Sequence, residues 1–91
     1  MRTVSRTSQF KKDVKLAEKR GKDLKKLKVL LDLLIAGEVL AAGYKDHPLR
    51  GDFASSRDCH IEPDWLLIYT LTEKGNHLRL ERTGTHSDLF R

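Results

Sequence analysis

The chain contains a single cysteine, Cys59, in 91 residues. One cysteine closes no internal disulfide and supplies no multi-cysteine zinc site, so nothing calls for an oxidising compartment, and the cytoplasm is the expected location. Long apolar runs are absent as well. Residues 29–31 and 33–36 are split by Asp32, and the longest unbroken run, residues 65–69, has five residues, far below the roughly 20 that a membrane span needs. Residues 1–9 lack the apolar stretch of a secretory signal, so no membrane partner is expected. The glycines form no phosphate-cradling loop of the nucleotide-binding kind, and there is no internal repeat and no low-complexity linker. The length allows one small domain over residues 1–91 with one modest core, which excludes a two-domain enzyme built on a large cofactor fold.

Charge is plentiful. Lys and Arg number 18 against 13 Asp and Glu, a net charge of +5 with a pI of about 9.6, a balance that favours polyanionic partners. Residues 1–30 carry a net +8 and residues 31–91 a net −3, so the two parts are expected to do different jobs.

The first segment, residues 3–6, has the β-branched Thr3 and Val4 and suits a short strand. From Ser8, a plausible N-cap, Phe10, Val14 and Ala17, with Leu16 beside them, recur at helical spacing until Gly21. A second amphipathic helix has Leu24, Leu27, Leu31 and Leu34 in one stripe, broadened by Leu30 and Ile35 and closed by Gly37. The pair reads as a helical hairpin. Lys11, Lys12, Lys15, Lys19, Lys22, Lys25 and Lys26 then give it one positive side, which is either a solvated face or a phosphate-binding one. Residues 38–54 read as a loop. A three-strand meander follows: residues 55–61, a turn at Glu62-Pro63-Asp64, residues 65–72 apolar at both parities as in a central strand covered on both faces, a turn at residues 73–76, and a third strand with Leu78 and Leu80. Residues 85–90 suit one capped helical turn. The fold class is therefore α+β, two N-terminal helices packed on a small antiparallel sheet.

Four histidines stand out. In the meander His60 and Asp64 flank the Pro63 turn, and Arg82 with His86 returns to the same edge. His47 enters from the loop, and topology alone leaves its place open. His77 reads as a solvated surface residue and Cys59 as a small buried hydrophobe. Two histidines and a carboxylate beside an arginine can cleave RNA: a base takes the ribose 2′-hydroxyl proton, a cation offsets charge on the phosphate, and an acid protonates the leaving oxygen. No metal or other cofactor is required, and the histidines lack the close paired spacing of common zinc sites. Trp65 and Phe90 can stack on bases, although Trp65 also suits core packing. The competing reading is a non-catalytic nucleic-acid-binding module whose histidines are structural.

Three blocks carry a family resemblance. They are Tyr44-Lys45-Asp46-His47-Pro48-Leu49-Arg50-Gly51, then Arg57-Asp58-Cys59-His60-Ile61-Glu62-Pro63-Asp64-Trp65-Leu66-Leu67-Ile68-Tyr69, then Glu81-Arg82-Thr83-Gly84-Thr85-His86-Ser87-Asp88-Leu89-Phe90. Together they resemble the YafQ branch of the RelE/ParE toxin superfamily, with a weaker match at Lys12-Asp13-Val14-Lys15-Leu16-Ala17. The resemblance implies a bacterial type II toxin of RelE-like fold that enters the ribosomal A site and cuts mRNA, held by a DinJ-like antitoxin. The toxin alone would be monomeric and its antitoxin complex larger. It also implies His47, His60, His86 and Asp64 as active-site residues, Trp65 and Phe90 as site aromatics, and Arg82 as a cation near the scissile phosphate. The gyrase-directed ParE branch is not expected to carry this histidine set. From the cluster's chemistry, Asp64 is expected as general base and His86 as general acid. His47, His60 and Arg82 orient or stabilise the phosphate, with His60 the main rival for the base because a solvated Asp titrates near 3.9.

Overall fold

The computed structural model describes residues 1–90. Its elements are β1 (Thr3–Arg6), α1 (Ser8–Lys19), α2 (Leu24–Ala36), β2 (His47–Pro48), β3 (Arg57–Glu62), β4 (Trp65–Thr72), β5 (His77–Gly84) and α3 (His86–Leu89). The strands form one sheet in the order β1-β5-β4-β3-β2, with β1 parallel to β5 and every other pair antiparallel. This is the α+β architecture read from the sequence, with the meander at its centre.

The both-parity run of β4 is explained by two covered faces. Trp65, Leu67 and Tyr69 pack with Phe10, Ala17, Leu27, Leu30 and Leu34 beneath the two long helices. Leu66 and Ile68 point the other way and meet Leu89, Leu49 and Phe53. Each fully buried Leu or Ile contributes about 1.5–3 kcal/mol, so the helix face is the larger reservoir of stability. Cys59 is buried in that cluster as expected, and burial pushes its thiol up to about 12.

Five local features differ from the sequence reading. The N-cap of α1 is Thr7, not Ser8: Thr7 is extended, and its Oγ1 accepts the Phe10 N–H at 2.9 Å while donating to the Glu81 carbonyl at 2.7 Å. The cap therefore ties α1 to β5. Leu16 lies on the exposed side of α1, and Asp13 takes a place on its buried face beside Phe10 and Ala17. In α2 the buried residues are Leu27, Leu30 and Leu34, with Leu31 only half-buried. The loop over residues 38–54 contains the two-residue strand β2, where Pro48 is tolerated because β2 is a sheet edge. His77 is not merely solvated: its Nδ1 lies 2.6 Å from Thr3 Oγ1 and its Nε2 2.8 Å from Ser5 Oγ, so it staples β1 to β5.

Among the described residues no helix is long and apolar enough to cross a membrane.

Candidate active site

Register builds the site. His47 pairs with Asp58, Asp58 with Ile68 and His60 with Leu66, and Ile68 with Arg82 and Leu66 with Gly84. Directly opposed residues share a face, with strands about 4.8 Å apart, so His47, Asp58 and His60 gather on the Leu66/Ile68 face. The chain then leaves β5 at Gly84 and turns into α3, whose Leu89 packs on the same two residues. His86 is thereby brought back over the end of the meander.

A four-residue helix needs external support, and α3 has it. Thr85 and Asp88 form a capping box, and Arg20 from the α1–α2 turn grips Asp88 at 2.7 Å. The Arg20 guanidinium and the Thr85 N–H hold the Asp88 carboxylate far below its usual range. Asp64 completes the frame: its Oδ1 accepts the His86 backbone N–H at 2.9 Å and the ring Nδ1–H at 2.6 Å. The backbone N–H first, then the ring, pull the Asp64 carboxylate below its usual range. A weakened base is the result, and the same contact leaves His86 Nε2 facing outward.

The three histidines form an arc. Ring centroids are 6.5 Å apart for His47 and His60 and 5.7 Å for His60 and His86. The His60 side chain has no hydrogen-bond or ion-pair partner among the described residues, so both of its nitrogens are available. His47 is engaged on both sides, with Nδ1 at 2.6 Å from the Lys45 carbonyl and Nε2 at 3.0 Å from Asp58 Oδ1. Phe90, partly exposed, lies 6.4 Å from His86 and meets Phe53 edge to face at 6.0 Å.

His47, His60, Asp64, His86 and Phe90 thus come together. Two other candidates do not join them as expected. Trp65 is 1% exposed in the helix-side core, and its Nε1–H donates to Thr83 Oγ1, so it has no open face for a base; core packing, the other option for this residue, is what the fold uses. Arg82 sits at a register shift of β5 against β4, and its guanidinium reaches α1, where Nε and Nη2 donate to Asp13 at 2.7 and 3.2 Å. On the basic helices, Lys22 and Lys26 both pair with Glu62, while Lys11, Lys12, Lys15, Lys19 and Lys25 have no ion-pair partner among the described residues. No group of three His, Cys, Asp or Glu side chains among the described residues is placed to hold a metal ion.

Sequence reasoning missed two residues of the site. Asp58 lies beneath the histidines, nearly fully buried; burial raises its carboxyl, against the opposing charges of His47, His60 and His86. Its spacing of two from His60 on one strand was a readable signal of a shared face. Phe53 lies in the loop and had no such signal.

Comparison with known proteins agrees with this fold. The model for the family described as "Bacterial toxin of type II toxin-antitoxin system, YafQ" matches residues 2–91. The mRNA interferase toxin YafQ of Escherichia coli K12 is 57% identical over 90 residues, covering 98% of this chain and 96% of that protein. The toxin in a crystal structure of the E. coli DinJ-YafQ complex superposes with a TM-score of 0.91 at 54% identity over the whole of both chains. A metal-bound toxin from Helicobacter pylori superposes with a TM-score of 0.90 at 43% identity, covering 99% of this chain and all of that one. The fold and these likenesses agree, and the chain belongs to the YafQ family of bacterial type II toxins.

Proposed function

We propose that this protein is an mRNA-cleaving toxin that acts in the ribosomal A site by acid–base catalysis and is neutralised by a DinJ-like antitoxin. The observation that carries the reading is the Asp64–His86 pair beside an unengaged His60. In this mechanism His60 Nε2 or Nδ1 takes the proton of the ribose 2′-hydroxyl, and the 2′-oxygen attacks phosphorus. The bond from phosphorus to the 5′-oxygen breaks, and His86 Nε2 protonates the departing oxygen, leaving a 2′,3′-cyclic phosphate and a 5′-hydroxyl. Asp64, with its lowered proton affinity, orients His86 instead of serving as the base. His47 supplies positive charge toward the phosphate, and Arg82, held on Asp13, would have to turn away from α1 to add to it. Phe90, backed by Phe53, offers the face on which a base stacks. The unpaired lysines of α1, with Lys25 and the partly neutralised Lys22 and Lys26 on the start of α2, hold ribosomal RNA through its phosphates.

Purified toxin added to programmed ribosomes should cut mRNA to products ending in cyclic phosphate, with or without a chelator. His86→Gln should slow the cut by about 10²–10⁴-fold, the range of a general acid, with the fold retained. Equal cutting of free RNA would refute the ribosome requirement. Salt-sensitive RNA binding without new 3′ ends would replace the enzyme by a binding module, and loss of cutting in chelator would overturn the metal-free scheme.

A further inference from the structure

The mechanism above leaves one buried carboxylate unused. Asp58 is 3% exposed, and its Oδ1 is a buried acceptor without an aligned hydrogen bond. The nearest ring nitrogen is His47 Nε2, 3.0 Å away. At the opposite side of that ring Nδ1 lies 2.6 Å from the Lys45 carbonyl. A carbonyl can only accept, so Nδ1 carries a hydrogen. A neutral His47 then turns the lone pair of Nε2 toward a carboxylate oxygen, and two acceptors at 3.0 Å in a desolvated setting repel. The contact becomes favourable when one proton resides on the pair, on Nε2 or on Oδ1, and the two groups then titrate as a unit.

We propose that Asp58 is a positioning residue that acts through His47, the pair retaining one proton at the edge of the cleavage site. The proposal rests on the function given above, and its consequence there is electrostatic. Without that proton an uncompensated negative charge lies under the place where the scissile phosphate binds; with it the pair is neutral overall, and with the proton on Nε2 its positive end is the half-exposed His47 ring. The two contacts also fix the ring plane, because rotation of His47 breaks both together. The remaining charged or titratable groups around Asp58 are His60 on the same strand, His86 on α3 and Asp46 before β2. The two histidines, when charged, favour an ionised Asp58, and Asp46 opposes it.

Ring ¹⁵N spectra of His47 in the wild-type protein test the proton directly, and they need no reaction. The expected result at neutral pH is a hydrogen on Nδ1 together with the pair's proton, read as a second hydrogen on Nε2 or as a protonated Asp58 carboxyl in ¹³C spectra, and lost at lower pH in Asp58→Asn. A neutral His47 beside an ionised Asp58 overturns the proposal, whichever nitrogen carries the hydrogen, as does an unchanged titration in the variant. In single-turnover cleavage on ribosomes, Asp58→Asn should lose about tenfold at neutral pH, the scale on which carboxylate partners of functional histidines act, with its alkaline limb moved to lower pH. His47→Gln should remove that difference, so that the double variant matches His47→Gln alone. A full Asp58→Asn effect in the His47→Gln background assigns Asp58 a merely structural role and overturns the proposal. If the wild-type protein fails to cut ribosome-bound mRNA, the proposed function fails, and the ring spectra still decide the proton pair.

Discussion

Asp13 is the sharpest test of how this fold is held together near its site. Its carboxylate is 7% exposed and accepts from Arg82 Nε at 2.7 Å, Arg82 Nη2 at 3.2 Å and the buried Thr83 N–H at 3.1 Å. Asp13→Ala strands two groups at once. A buried N–H left without an acceptor costs about 1–3 kcal/mol, and removing one partner of a buried ion pair costs about 3–5 kcal/mol. The Arg82 side chain keeps 28% of its exposure and can turn toward water, which discounts the second figure to about 2 kcal/mol. The total is about 3–5 kcal/mol, or a fall in Tm of about 12–40 °C for a domain of this size. Asp13→Asn keeps an acceptor for Thr83 and should lose about half as much. Urea unfolding of Asp13→Ala, Arg82→Ala and the double variant gives the coupling directly, expected at more than about 1 kcal/mol. A loss below about 1 kcal/mol for Asp13→Ala with an unchanged m-value would refute the account of this pair as a clamp between α1 and β5.

Two further perturbations follow from the helices. Asp88 has a folded proton affinity well below its unfolded one, so its contribution is complete above about pH 5 and is lost as pH falls through the depressed folded value. Asp88→Ala should cost about 0.5–2 kcal/mol as a lost cap, flatten the acid limb of stability measured by urea melts across pH, and slow cleavage because α3 carries His86. Replacing Lys11, Lys12 and Lys15 together with Gln should weaken ribosome binding and shrink the slope of log K against log salt by about 0.7–0.9 for each phosphate no longer neutralised; an unchanged slope returns that side of α1 to plain solvation.

The meander and the meeting of His60, Asp64 and His86 were legible because each depends on local signals: a Pro-containing turn, alternation along strands, and a capped turn directly after β5. His47 was harder. Its place depends on β2, a strand of two residues, too short to leave a period in the sequence, and the family resemblance supplied it. Asp13 and Asp58 were missed for a common reason. A carboxylate in a sequence reads as solvated, and the partners that make it burial-competent lie largely elsewhere in the chain: Arg82 for Asp13, and His47 and His86 beside the nearby His60 for Asp58. Arg82 belongs to the expected edge, but the register shift at β5 that turns its side chain to α1 has no local signature. Trp65 shows the converse, since an aromatic beside Asp64 invites a stacking role while strand parity sends it to the opposite face.

The parallel pairing of β1 with β5 joins Thr3 to His77, residues separated by most of the chain. Such a pair has no edge to dock on until β3, β4 and β5 have assembled, so closing that long loop is a late and entropically costly event. The order of folding is then expected to run from the meander outward. On that order His60 and Asp64 lie in the first hairpin to form, and the His77 staple closes last. Mutations in β1 should therefore chiefly speed unfolding and leave the refolding rate nearly unchanged, so the loss of this strand weakens how long the toxin persists more than how it forms its cutting edge.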